Sequence, residues 1–238
     1  MKDSNNIIYG RNAVKEALKT HRVKSIFMSE KVSDDVLLNL IKKEKIIPKY
    51  VTNNELTSLS SGGVHQGVVA LIKPYTYYSL SDLDKFIEGV VNPTVVILDG
   101  INDTHNMGAI LRCLDIFGVS ALIVSNHHQV PLNATVAKSS AGAINYVPVI
   151  MVSNINQTLL KLKEKGFWIV AADGSASISY HDIKYDFPTA LIIGSEGEGI
   201  SKLVLKNSDY IVKIPEKGHI NSLNASVATG ILLSEIKK

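Results

Sequence analysis

Three short stretches carry the residues whose types and spacing can do chemistry. They are Asn106 to Arg112 with Phe117-Gly118 behind it, the loop Gly194-Ser195-Glu196-Gly197-Glu198-Gly199, and Ser222-Leu223-Asn224 following Ile214-Pro215. Each sits where an apolar run ends, and side chains from distant parts of a chain converge at such ends. On a helix at 100° per residue, Met107, Ile110, Leu114 and Phe117 share one arc, whereas Arg112 lies about 160° from Leu114 and points away from the stripe. From the residues alone it reads as a surface pair with Asp115 worth about 0.3 kcal/mol. The glycine loop lacks the Gly-Lys-Ser/Thr of a P-loop and the glycine spacing of a dinucleotide site. Its two carboxylates repel a polyphosphate and tolerate a cation. Gly194 either lets the backbone approach a ligand or marks an ordinary tight turn.

Helices and strands must position these groups. Asn106 or Thr104 can cap the first helix, and Ser222 can cap a final helix with Val227, Ile231 and Ile236 on its apolar side. From Thr94 onward the pattern alternates: Val95–Leu98, Ala121–Val124, Tyr146–Val149, Trp168–Ala172, Ala190–Ile193 and Tyr210–Ile214 read as strands, and Met107–Phe117, Ala134–Ser139, Ile155–Lys165 and Ser222–Ile236 as helices. Continuous apolar strands between helices predict an α/β fold whose parallel sheet is covered on both faces. Ahead of it, a helix over Ala13–Leu18, a strand over Val23–Met28, a helix over Asp34–Lys43 and a strand over Val64–Ile72 suffice for a small α/β domain. The division is therefore residues 1–75, a linker over 76–92 carrying one short helix, and 93–238.

Composition narrows the class. With 45% hydrophobic and 20% charged residues over 238 positions the chain has the makings of an ordinary folded core, and no apolar run reaches the roughly 18–20 residues of a membrane helix. A cytoplasmic protein without a membrane partner is expected. Cys113, alone, excludes an internal disulfide and a CxxC metal site. His219 has no ligand at metal spacing and His127-His128 reads as a polar loop, so no metal is expected. Residues 1–75 hold 12 Lys and Arg against 7 Asp and Glu, or +5, while the remainder is −2. A basic front end fits a module that meets nucleic-acid phosphates, and equally a solvated charged surface.

Taken in order, the three stretches resemble the SpoU, or TrmH-type, branch of the SPOUT RNA methyltransferases, which move a methyl group from S-adenosylmethionine to a ribose 2′-oxygen. The resemblance implies a deep C-terminal trefoil knot, a rare exception to the usual connection rules that periodicity cannot reveal. It also implies that Asn106, Arg112, Glu196, Ser222 and Asn224 form the catalytic centre and that Gly194, Ile214 and Leu223 hold the cofactor, S-adenosyl-L-methionine. In the family the arginine is proposed to take the 2′-hydroxyl proton. Arginine has a pKa of at least about 12.5, so presenting it neutral near pH 7 costs roughly 7 kcal/mol, and a phosphate clamp asks less. Both roles stay open.

The stretches Gly10-Arg11-Asn12 to Leu18 and Val64-His65-Gln66-Gly67 to Ala70 resemble the substrate-binding domain, similar to ribosomal proteins L30e and L7Ae, of the RlmB-type subgroup that methylates a guanosine ribose in 23S ribosomal RNA. Arg11, Lys15, Lys19, Arg22 and Lys24 are candidates for phosphate contacts. The subgroup implies a homodimer whose pocket is completed across the interface. Other readings are a tRNA ribose methyltransferase, which usually carries basic extensions in place of a front domain, and a non-catalytic RNA-binding assembly factor. An oxidoreductase lacks its dinucleotide fingerprint here.

Overall fold

Strand β1 (Ile7–Tyr9), α1 (Arg11–Lys19), β2 (Val23–Met28), α2 (Asp35–Lys43), β3 (Lys49–Tyr50), α3 (Asn53–Leu59) and β4 (Val68–Ile72) follow one another in the computed structural model, which describes residues 6–127, 130–219 and 222–238. Local chemistry starts the helices. Asp34 accepts the Leu37 N–H at 3.1 Å to cap α2, and Thr52 with Glu55 forms a reciprocal capping box at α3. The strands make a mixed sheet in the order β1-β4-β2-β3, antiparallel except for the β2/β3 pair. Val14, Leu18, Ile26, Met28, Leu37, Leu56 and Val68 are buried in it. Periodicity does not reveal the short β1 and β3, which have too few residues for a period, or α3, a mostly polar seven-residue helix with Leu56 alone buried.

The chain continues through α4 (Asp84–Ile87), β5 (Thr94–Asp99), α5 (Thr104–Ile116) and β6 (Ala121–Ser125), then α6 (Ala134–Ser139), and β7 (Val149–Val152), α7 (Ile155–Glu164), β8 (Trp168–Ala172), β9 (Ile178–Ser179), β10 (Thr189–Gly194), α8 (Lys202–Lys206), β11 (Tyr210–Lys213) and α9 (Ala225–Ile236). Two compact units result: residues up to 76 together with 131–146, and residues 77–130 together with 147–238. Within the first, α6 lies against β1 and α1, Tyr146 Oη donates to Glu16 Oε2 at 2.5 Å, and Lys138 stands 5.3 Å from the Tyr9 ring centroid. Including Lys138, that unit carries 13 Lys and Arg against 7 Asp and Glu.

The second unit is built on seven parallel strands in the order β7-β6-β5-β10-β8-β11-β9. Their central members are buried along nearly their whole length, as continuous apolar runs require. Tyr78 pairs with the outer strand β7 through Tyr78 N–H to Val149 O at 2.8 Å and Met151 N–H to Tyr78 O at 2.9 Å, so the residues after 76 cover that edge. The strand expected over Tyr146–Val149 starts later, at Val149, because Gly142 at φ 96° opens a 3-10 turn over Ala143–Asn145. From β5 the sheet grows through β6 and β7 on one side and through β10, β8, β11 and β9 on the other. Strand order reverses between β5 and β10, and ligands of open α/β sheets bind outside the carboxyl ends of the strands at such a point. Among the described residues no helix is long and apolar enough to cross a membrane.

Candidate active site at the carboxyl ends of the sheet

The three stretches meet at that reversal. β5 ends at Asp99 and leads into α5, which Asp103 caps by accepting the His105 N–H at 2.9 Å. This corrects the expectation that Thr104 or Asn106 would cap; both lie within the first turn, and Asn106 is thereby turned inward, 8% exposed. β10 ends at Gly194, and the loop closes on itself by Ser195 N–H to Gly199 O at 3.2 Å and Gly199 N–H to Ser195 O at 3.0 Å. A Cβ on Gly194 would lie 2.3 Å from the Gly199 carbonyl carbon and 2.6 Å from Ile200 N. Gly194 is thus glycine because of its own loop, whatever else approaches it. Helix α9 is capped by Asn224, whose Oδ1 accepts the Ser226 N–H at 3.0 Å and Oγ–H at 2.6 Å; Ser222, the expected cap, lies outside the helix.

Glu196 is the meeting point. Its Oε1 accepts from Asn106 Nδ2 at 3.0 Å, from Asn224 Nδ2 at 2.6 Å and from the Ala225 N–H at 3.5 Å, and Asn224 Nδ2 also donates to Asn106 Oδ1 at 2.8 Å. Three segments separated by 28 to 118 residues are joined in one network. On one side a cleft of about 580 Å³ is lined by Gly194, Ile214, Ser222 and Leu223 together with the Ala172–Ser175 turn that follows β8. On the other a larger space of about 1050 Å³ is lined by Asp99, Asp103, Asn106 and His127. Glu196 lines both. Asp99 accepts the Ser201 N–H at 3.0 Å and so ties the far end of the glycine loop to β5. Asp99 reads in the sequence only as the start of a turn-rich strand exit and Asp173 carries no reading there, although Asp99 ends β5 and Asp173 follows β8, each in an Asp-Gly pair, which is the signal that marks them.

Arg112 is not part of this network. It is exposed, lines neither cleft, and stands six residues from Asn106, which on a helix is about 120° around the axis and about 9 Å along it. Ile116, one turn further on the same face, is 68% exposed. Next to Arg112, burial pushes the Cys113 thiol up against the opposing pull of the guanidinium. Among the described residues no group of His, Cys, Asp and Glu could hold a metal ion; His128, Ile220 and Asn221 lie outside the described residues.

In the first unit most of the candidate phosphate contacts are already engaged. Lys15 pairs with Asp34 at 2.7 Å, and its hydrogen bond, with that of the Leu37 N–H, holds the Asp34 carboxyl below the ordinary carboxylate range. Lys19 pairs with Glu16 at 2.8 Å, Arg22 donates to the carbonyls of Lys73 and Pro74, and Arg11 Nε donates to Gln66 O at 3.2 Å. Lys24 is exposed and has no partner among the described residues.

A profile of the SpoU rRNA methylase family matches residues 93–234, the segment that contains every member of the network. The chain belongs to the SpoU rRNA methylase family. A second profile, for RNA 2′-O ribose methyltransferase substrate binding, matches residues 7–78 of this family member. It is 43% identical over 239 residues to a Staphylococcus haemolyticus protein assigned to the TrmH family of tRNA/rRNA methyltransferases, covering 97% of this chain and 94% of the relative. Its fold matches that of the SpoU methyltransferase AviRb from Streptomyces viridochromogenes, solved with AdoMet, at a TM-score of 0.81 and 22% identity over 97% of this chain and 88% of that one. The TrmH/SpoU tRNA modifying enzyme of A. aeolicus matches at a TM-score of 0.56 and 31% identity over 66% of this chain and 81% of that one.

Proposed function

We propose that this SpoU family protein transfers a methyl group from S-adenosyl-L-methionine to a guanosine ribose 2′-oxygen in 23S ribosomal RNA. The observation that carries the reading is the convergence of Asn106, Glu196 and Asn224 on one carboxylate oxygen between two clefts. The smaller cleft suits the cofactor. Its volume of about 580 Å³ lies in the usual range for ligands of that size, Ile193, Val212, Ile214 and Leu223 give it apolar walls, and Asp173, Glu198 and Glu216 outnumber Lys213. Such a lining accepts a sulfonium and an ammonium and rejects phosphates. Bound there, the cofactor would supply an electrophilic methyl group. Gly194, Ile214 and Leu223 would hold it, and Ser222 and Asn224 would stand at the reacting end.

The remaining parts follow the same reading. A positively charged first unit matching a substrate-binding family supports an RNA substrate with its own docking module, which favours ribosomal over transfer RNA. The resemblance to a tRNA modifying enzyme over 66% of the chain supports transfer RNA as the second reading. A homodimer is supported by apolar exposure on two helices that pack together, Ile116 (68%) on α5 and Val227 (49%) on α9. A second copy covering that face would also cover Arg112 and could bring it to the partner's ribose. The path of the chain, in which β11 enters between the earlier strands β8 and β9 and α9 then packs on α5 and β10, supports a knot. Calorimetry is expected to find S-adenosylmethionine bound and NAD not bound. Tritium transfer is expected to label ribosomal RNA and leave transfer RNA unlabelled, and light scattering to give twice the chain mass. A protein that binds no S-adenosylmethionine and labels neither RNA would overturn the proposal.

A further inference from the structure

The two carboxylate oxygens of Glu196 have unlike surroundings. Oε1 takes the amide N–H groups of Asn106 and Asn224 and the Ala225 N–H, whereas Oε2 takes no hydrogen bond from any described residue. Donors on one oxygen fix the plane of a carboxylate and leave the other as its free acceptor, here on a residue that lines both clefts. Neither asparagine can take up a proton. Arg112, the acceptor that the family resemblance offers, lines neither cleft of its own chain and would have to be presented neutral, and of the carboxylates lining the clefts Glu196 is the one joined to both asparagines. Resting on the function proposed above, we infer that Glu196 is the group that accepts the 2′-hydroxyl proton, through Oε2.

The step balances. As the ribose O–H bond breaks, its proton goes to Oε2 and its electron pair stays on oxygen; an oxygen pair forms the bond to the methyl carbon, and the pair of the carbon–sulfur bond remains on sulfur as a neutral thioether. Glu196 ends as the carboxylic acid and returns the proton to water. This division of labour leaves Arg112 to hold a phosphate, a task its guanidinium performs in its ordinary charged state. Other titrating groups surround the carboxylate. Asp99, Asp103, His127 and Lys202 line the larger cleft with it, Asp173, Lys213 and Glu216 line the smaller one, and Glu198 lines both. A pH profile is therefore read as a difference between variants.

The test uses the full-length protein and an RNA fragment that it has been shown to methylate. Single-turnover rates of the wild type are expected to fall toward acid pH. Glu196→Gln keeps an oxygen for the asparagine donors and replaces Oε2 with an NH₂ group; its rate is expected to drop about 10²–10⁴-fold and to lose the acid fall, while Glu196→Asp keeps the fall. A second readout needs no turnover: the wild type should bind the fragment about tenfold more tightly than its 2′-deoxy counterpart at the target nucleotide, as an ionised acceptor on that hydroxyl implies, and Glu196→Gln should lose the preference with S-adenosylmethionine affinity kept. If Glu196→Gln unfolds the loop, the Asp variant decides, its retained acid fall and hydroxyl preference supporting the inference and their absence overturning it. A Gln variant with near-full rate, or with the acid fall or the hydroxyl preference intact, overturns the inference. A wild type that binds no S-adenosylmethionine overturns the function itself.

Discussion

Gly194→Ala is the sharpest test of how the centre is assembled. The new Cβ would stand 2.3 Å from Gly199 C, 2.5 Å from Gly199 O and 2.6 Å from Ile200 N, all backbone atoms that cannot rotate away. Reaching ordinary contact at 3.4 Å moves the 195–200 segment by roughly 1 Å, at a cost of about 1–3 kcal/mol for overpacking. In a chain of 238 residues that lowers Tm by about 4–8 °C for 2 kcal/mol. Glu196 rides on the displaced segment, its network being set by contacts of 2.6 and 3.0 Å, and a misplacement of about 1 Å is expected to cost about 10²-fold in methyl transfer. Gly197→Ala is the matched control, because its Cβ would meet nothing within 4 Å; it should leave Tm unchanged or slightly raised. Thermal melts and single-turnover methylation of the two variants check both halves. Equal behaviour of the pair would refute the claim that Gly194 is dictated by its own loop.

Tyr75→Phe is expected to flatten the alkaline loss of stability. The phenol is pushed up to about 12 by burial and its hydroxyl has no hydrogen-bond partner among the described residues. A raised folded value gives stability that is complete below the unfolded value of about 10 and lost as pH rises through about 12. Denaturant titrations at pH 7 should be nearly unchanged, and the variant should gain up to about 2 kcal/mol on the wild type at the top of that window. Asn224→Ala removes both the cap of α9 and a donor to Glu196, so a loss of about 1 kcal/mol in chemical denaturation should accompany a larger loss of methylation; Asn224→Ser should restore the stability and not the activity. Lys24→Ala is expected to reduce the slope of log K for RNA against log salt by about 0.7–0.9, with Lys15→Ala, whose cation already faces Asp34, changing it less.

Legibility in the sequence followed the range of the forces involved. Val23–Met28, Ala134–Ser139 and Trp168–Ala172 were readable to the residue because strand and helix periods are local. Caps were not: Ser222 and Asn224 are both good caps two residues apart, and α9 starts after the second, whose amide is held by Glu196 28 residues away. Asp103 likewise competes with Thr104 and Asn106 on nearly equal intrinsic terms. Strand order lies beyond periodicity altogether, since β8 and β10 have similar apolar runs wherever they sit in the sheet. The outward direction of Arg112 was legible from the wheel, and its exposure in the structure agrees. What it meets there is not encoded in one chain's helical period.

The sixteen residues from 131 to 146 belong with the first unit although they are inserted between two strands of the second. The polypeptide therefore passes between the two bodies three times, after residues 76, 130 and 146. A gene fragment stopping at residue 76 would yield a β1–α1 surface stripped of α6, and one starting at residue 77 would yield an arm with nothing to fold on. Chimaeras that graft this front end onto a relative's sheet must carry both pieces of sequence together.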